Sequence, residues 1–219
     1  MRGTAALFTS LVFVLFALST AWAQMTITGV VIDSSGAVPA HAFVEAIPRT
    51  SDGGKGTVGD RLNPWTPADV HGRFTISLPP GRFKIRAKDE ADGYPDPSYW
   101  LNADPTAIFP EIIVDQKSIP NVRVILGRKG GVLDGEVLDL QSRGAVSGGK
   151  VTIRDAQNAD AYVEVFTDAS GHFRFTVPNK PLFISVTTAG YKTTAFAKGG
   201  EVVLSGGEHR SIVLELQHQ

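Results

Sequence analysis

Apolar residues in this chain recur at every second position, and beyond the first 23 residues no stretch shows the 3.6-residue spacing of an amphipathic helix. In DVHGRFTISLPPGRFKIRA, Asp69 to Ala87, the row Phe74, Ile76, Leu78 alternates with Arg73, Thr75 and Ser77. After the Pro-Pro-Gly turn the row resumes as Phe83, Ile85 and Ala87, with Arg82, Lys84 and Arg86 on the wet side. Successive side chains of a strand point to opposite faces, so this pattern predicts two half-buried strands. Register is well specified, since a slip of one residue would bury those three cations.

The same grammar returns 99 positions later as DASGHFRFTVPNKPLFISV, Asp168 to Val186. Other blocks repeat in the same order. Thr28–Asp33 (TGVVID) answers Asp134–Asp139 (DGEVLD), and Gly36–Val38 answers Gly144–Val146. Ala42, Val44 and Ala46 answer Gly149, Val151 and Ile153; Gly93-Tyr94 answers Gly190-Tyr191; Val122, Val124 and Leu126 answer Ile212, Leu214 and Leu216. An internal repeat built from short period-two segments between Gly, Pro, Asn and Asp clusters predicts one β-sandwich per copy. The expected architecture is therefore all-β, two tandem Greek-key β-sandwich domains of about seven strands each, preceded by a signal peptide. Residues 1–23 form the leader, 24–128 the first sandwich with two loop insertions, and 129–219 the second. The join near Gly127–Gly131 is polar and short enough to give a semi-rigid tandem.

The repeat also assigns roles within the shared turn. Asp69 and Asp168 suit a turn position whose carboxylate accepts backbone N–H groups, and Gly72 and Gly171 suit a position of positive φ. Phe74 and Phe173 then open the inward row of the next strand.

The leader is read from Arg2, the apolar run LFTSLVFVLFAL and the small-x-small pattern Ala21-Trp22-Ala23. That run is shorter than the roughly 20 residues a span needs, so cleavage is expected to leave no transmembrane anchor. With 21 basic and 22 acidic side chains in the whole chain, there is no clustered positive charge for nucleic acid or for an acidic membrane surface. The chain has no cysteine, which excludes disulfides, thiolate nucleophiles and Cys-ligated zinc. Export without disulfides fits a bacterial periplasm or cell exterior, with stability coming from the cores alone.

The blocks G-x-V-x-D (Gly29–Asp33 and Gly135–Asp139), the strand entry Pro39–Ala46, T-D-x-x-G-x-F (intact at Thr167–Phe173, loosened at Thr66–Phe74), and the Gly-Tyr and terminal alternations resemble the carboxypeptidase regulatory-like domain family. That resemblance implies a transthyretin-like (prealbumin-like) sandwich and a non-catalytic accessory role. Hydroxyisourate hydrolases of the transthyretin-related group use a Tyr-Arg-Gly-Ser tail, whereas this chain ends LELQHQ. Intradiol dioxygenases need two Tyr and two His around iron, and Tyr94, Tyr99, Tyr162 and Tyr191 stand in no such arrangement with histidine.

His41, His71, His172, His209 and His218 form no metal-ligand spacing, and no G-x-S-x-G elbow is present. No catalytic residue, cofactor or metal is therefore expected. One acidic loop, Asp89, Glu90, Asp92 and Asp96, offers three or four oxygen ligands for calcium but lacks EF-hand spacing; the plainer reading is a solvated loop.

What the copies do not share is the best guide to function. Ala46 to Asp69 spans 23 positions against 15 from Ile153 to Asp168, and Tyr94 to Glu111 spans 17 against 10 from Tyr191 to Glu201. These insertions carry Trp65, Tyr94, Tyr99 and Trp100, either as a flat platform for sugars or partner side chains, or as plugs folded onto the sandwich. Strand parity sends the two connections to opposite ends, so one site using both needs a loop running along a face. The leading expectation is an exported non-enzymatic module mediating protein interaction or envelope architecture. A carbohydrate-binding module on those aromatics is the alternative, and a hydrolase with an unrecognised site is third. The expected partner is an envelope or extracellular protein, or a glycan.

Overall fold

The computed structural model describes residues 24–49, 65–115 and 121–219; residues 1–23 and most of the first insertion lie outside them. Among the described residues there is no α-helix, and none is long and apolar enough to cross a membrane. The first half holds β1 (Met25–Ile32), β2 (Phe43–Pro48), β3 (Thr66–Pro67), β4 (Arg73–Leu78), β5 (Gly81–Lys88), β6 (Glu111–Val114) and β7 (Val122–Ile125). The second holds β8 (Gly131–Asp139), β9 (Lys150–Asp155), β10 (Tyr162–Phe166), β11 (His172–Val177), β12 (Leu182–Thr187), β13 (Thr194–Ala195) and β14 (His209–Leu216).

Both halves have one topology. Sheets β4-β1-β7 and β3-β2-β5-β6 make the first sandwich, and β11-β8-β14 and β10-β9-β12-β13 the second. In each, the first strand runs parallel to the last and antiparallel to the fourth. The alternation read from sequence dictates this burial: Phe74, Ile76 and Leu78 of β4 face Val44, Ala46, Phe83, Ile85 and Ala87 across the first core. In the second, Phe173, Phe175, Ile212 and Leu214 face Val151, Ile153, Leu182 and Ile184. Burying each such side chain stabilises the fold by roughly 1.5–3 kcal/mol, so each half carries its own apolar driving force.

The repeated motifs meet in space. Gly29 and Gly135 lie beneath the rings of Phe74 and Phe173: a Cβ there would come 2.3 Å and 2.0 Å from the ring carbons. In the following turn Asp69 Oδ1 accepts the N–H groups of His71 and Arg73, both at 2.8 Å. Asp168 Oδ1 accepts those of Ser170 and His172 at 2.8 and 3.0 Å. Gly72 and Gly171 adopt φ of +71° and +76°. Their carbonyls accept the N–H groups of Val31 and Val137, stitching the turn to the first strand of its own copy.

A second repeated tether joins the Gly-Tyr block to the end of the first strand. The Tyr94 hydroxyl donates to Asp33 Oδ2 at 3.0 Å, and in the second copy Tyr191 is the neighbour of Asp139 that answers it. In the second copy His218 Nε2 also lies 2.8 Å from Asp139 Oδ2, with its ring stacked on Tyr191 at 4.3 Å. The Ser142 N–H and hydroxyl, more than any other neighbours, hold the Asp139 carboxyl down at about 2. An Asp is ordinarily near 3.9 in an unfolded chain, so this group stabilises the fold above about pH 4, and that stabilisation is lost as pH falls towards 2. Asp139→Asn is expected to lower the denaturation midpoint at neutral pH, with the deficit against wild type shrinking between pH 4 and 2. A deficit that stays constant over that range would show that the carboxylate charge is not what the tether uses.

Candidate functional site

The second insertion, between Tyr94 and Glu111, does not end as a loop on its own sandwich. It first crosses the outer face of β2 and β5. Arg86, which alternation places on the wet side of β5, is covered there. Its guanidinium donates to Glu45 Oε2 at 2.6 Å, to Ser98 Oγ at 3.1 Å and to the Pro97 carbonyl at 3.3 Å. Glu45, also on the outer face by parity, is only 1% exposed. Two residues further along β5, Lys88 Nζ binds Glu90 Oε2 at 2.6 Å and Asp96 Oδ2 at 2.8 Å, and sits 4.7 Å from the centre of the Trp65 ring. The insertion is thus clamped by a charged cluster whose cations come from β5.

It then enters the other sandwich. At the one-turn 3-10 segment Trp100–Asn102, Leu101 is fully buried and belongs to the core of the second half. Tyr99 meets the edge of Phe175 with ring centres 5.4 Å apart at 70°, a favourable edge-to-face geometry. The acidic loop completes the joint. Thr176 Oγ1 donates to the Glu90 carbonyl at 2.9 Å, Gly130 N–H to that of Gly93 at 2.7 Å, and Lys129 Nζ pairs with Asp92 at 2.9 Å. Arg128 N–H binds Asp104 Oδ2 at 2.8 Å. The linker at Gly127–Gly131 is held from both sides by side chains and backbone.

These contacts place each candidate from the sequence. The four aromatics do not form one platform. Tyr94 is 7% exposed and its phenol is pushed up by burial and then by Asp33, so its hydroxyl is engaged in the fold. Trp65 packs under Lys88 on the sheet face, while Tyr99 and Trp100, 41% and 62% exposed, stand at the joint. The four acidic residues do not converge either. Asp89 is buried and accepts the N–H groups of His41 and Asp92, Glu90 and Asp96 share Lys88, and Asp92 takes Lys129. Among the described residues no three His, Asp or Glu side chains form a metal-ligand group.

Leu101, Glu45, Arg86 and Asn102 were missed by sequence reasoning. The one available signal was Glu45, an acid within the apolar run FVEAI opposite a row of cations on β5. Beside the joint, β10 is an edge strand whose Tyr162 and Phe166 are 50% and 63% exposed, and the Trp100–Asn102 turn lies against it.

No family model matches the chain, and no curated protein matches it. Among solved structures, it is similar to a streptococcal ancillary pilin at 11% identity and a TM-score of 0.42, over 90% of this chain and 62% of that one. It is likewise similar to the shaft pilin of Lactobacillus rhamnosus GG, at 11% identity and 0.35 over 90% and 98%. A minor pilin of Streptococcus agalactiae matches at 14% identity and 0.33 over 89% and 96%. The chain spans less than two thirds of the length of the first of these, and at such identities the likeness concerns the fold alone.

Proposed function

We propose that this chain is an exported, non-catalytic tandem β-sandwich that mediates protein interaction or surface architecture, with its two sandwiches presented as one rigid body. The observation that supports this is the burial of Leu101 from the first repeat within the core of the second. An interface in which one half seats a side chain in the core of the other resists the relative motion expected of domains joined by a bare linker. The resemblance of the repeats to carboxypeptidase regulatory-like domains points to the same accessory role. Beside the lock, Trp100, Tyr162 and Phe166 give an exposed aromatic surface of the kind partner proteins use.

Photo-crosslinking residues placed at Trp100 and Phe166 in cells are expected to capture a protein, and placed at Thr28 and Ser211 to capture none. Equal capture at all four positions, or none at any, overturns the reading. A sugar module remains a second reading because Tyr99 and Trp100 are exposed neighbours. It requires glycan binding that Trp100→Ala abolishes.

A further inference from the structure

The two sandwiches protect one sheet edge differently. In the first, the edge beside β2 is β3, two residues long and ending in Pro67, which has no N–H to offer a further strand. In the second, the corresponding edge beside β9 is β10. Its five residues include no proline or glycine, and its register is unbroken from Tyr162 opposite Arg154 to Phe166 opposite Lys150. Ladder parity tells which of its backbone groups are used. Thr167 N–H donates to the Gly149 carbonyl and Asp155 N–H to the Ala161 carbonyl, so residues 161, 163, 165 and 167 face β9. The N–H and C=O groups of Tyr162, Glu164 and Phe166 point the other way, and among the described residues none of them meets a hydrogen-bond partner. The Trp100–Asn102 turn beside β10 takes none of them. Its own bonds close within the insertion, from Asn102 N–H to the Tyr99 carbonyl and from Ala103 N–H to that of Trp100.

The sequence of this edge, YVEVF, has the same character read from either end: aromatic, valine, glutamate, valine, aromatic. A two-fold axis pairs residue i of one chain with j of the other and j with i, so an antiparallel strand of this kind is complementary to itself. With the axis at Glu164, the free groups of one edge meet the free groups of the other. Tyr162 then stands opposite Phe166 of the second copy on the outer face, and Val163 opposite Val165 on the core side. Tyr162 and Phe166 are 50% and 63% exposed, and aromatic pairs across strands are favourable. The unfavourable match is central, Glu164 against Glu164. Each acid lies 2.9 Å from Lys150 Nζ, and Arg154, in register with Tyr162, adds a second cation to the same face. The seam thus sets two acids among four cations, which offsets their repulsion. A strand of a different protein has no need of the symmetry in YVEVF; a second copy does.

We propose that β10 pairs antiparallel with β10 of a second copy of this chain, about a two-fold axis at Glu164, joining two four-stranded sheets into one. The inference rests on the reading of Tyr162 and Phe166 as an interaction surface and names the partner.

The chain has no cysteine, so single cysteines report the contact without background. Glu164→Cys in the whole chain is expected to give a disulfide-linked dimer under mild oxidation. Directly opposed residues of a hydrogen-bonded antiparallel pair have Cα atoms about 5.5 Å apart, within the roughly 4.4–6.8 Å that a disulfide spans. Thr152→Cys, one strand inward on the same face, is expected not to link. Sedimentation of the wild type from micromolar to millimolar concentration should show a monomer–dimer equilibrium. Glu164→Thr should tighten it about two- to fivefold, the scale of removing one like-charge pair across strands. Glu164→Pro should abolish it while keeping the thermal unfolding of the monomer close to wild type, because the N–H that proline lacks is one that β9 does not use. If that variant does not fold, loss of the dimer in Phe166→Lys supplies the same evidence. The proposal is overturned by a wild type that is monomeric throughout, by equal linking of the two cysteine variants, by a folded Glu164→Pro or Phe166→Lys that dimerises as wild type does, or by weaker association in Glu164→Thr. Capture of a different protein by a crosslinker at Phe166, with a monomeric wild type, would refute the pairing and leave the interaction reading standing.

Discussion

Leu101→Ala is expected to destabilise the second sandwich, although residue 101 lies in an insertion of the first. The side chain is fully buried in a cluster with Leu133, Val151, Phe175 and Leu182, all from the second half. Truncating a buried leucine to alanine removes its transfer free energy and leaves a cavity, which together cost roughly 2–5 kcal/mol depending on how far the site collapses. The Tyr99–Phe175 contact depends on the same turn, and its loss adds to the effect. Against a typical domain stability of about 5–15 kcal/mol, that is a large fraction. Hydrogen exchange read strand by strand is the measurement that localises it. Protection should fall in β9 to β12 and in the 94–110 segment, with β1, β4 and β7 affected less. Loss confined to 94–110, with the second sandwich keeping its protection, would mean that Leu101 merely rests on that core, and the rigid-tandem reading would fall with it.

The same residue shows where sequence reasoning stops. The two sandwiches were legible because strand burial is periodic. Phe74, Ile76 and Leu78, or Ile212, Leu214 and Leu216, declare their face by alternation, and the copies corroborate each other. The turn at Asp168–Gly171 was legible for a similar reason, since its local hydrogen bonds need no distant partner. YPDPSYWLNADP has no period, so nothing in it says which of Tyr99, Trp100 and Leu101 turns inward, nor into which core. Parity required a loop along a sheet face if the insertions were to meet. It did not reveal that the loop covers Glu45 and Arg86, because burial of a charged pair depends on a segment some 50 residues away from Glu45 in the chain. Asn102 Oδ1, buried and without a hydrogen-bond partner among the described residues, is still further from reach. An unmet hydrogen bond is a property of three-dimensional enclosure, and an asparagine in a Pro-rich loop reads only as a turn residue.

Gly171→Val is expected to be among the most damaging single changes outside the cores, and to act through folding. Two independent costs coincide there. At φ of +76° a β-branched residue sits where L side chains rarely go, at a cost of order 1–3 kcal/mol. A Cβ would also lie 2.7 Å from the Val137 carbonyl oxygen, which is backbone of β8 and cannot swing aside as a side chain would. Moving it weakens the Val137 N–H bond to the Gly171 carbonyl and shifts Phe173 from its seat over Gly135. Gly148 separates the two costs, since it has φ of +69° but nothing within 4 Å of an added Cβ. Gly148→Val should therefore pay only the dihedral strain, and the difference between the two variants measures the clash. Chemical denaturation of both against wild type tests this. If Gly171→Val loses no more stability than Gly148→Val, the repeated D-x-x-G-x-F turn is not held by its close approach to the first strand. The glycine would then be there for a surface role, which the exposed His71 and His172 on the two turns would have to supply.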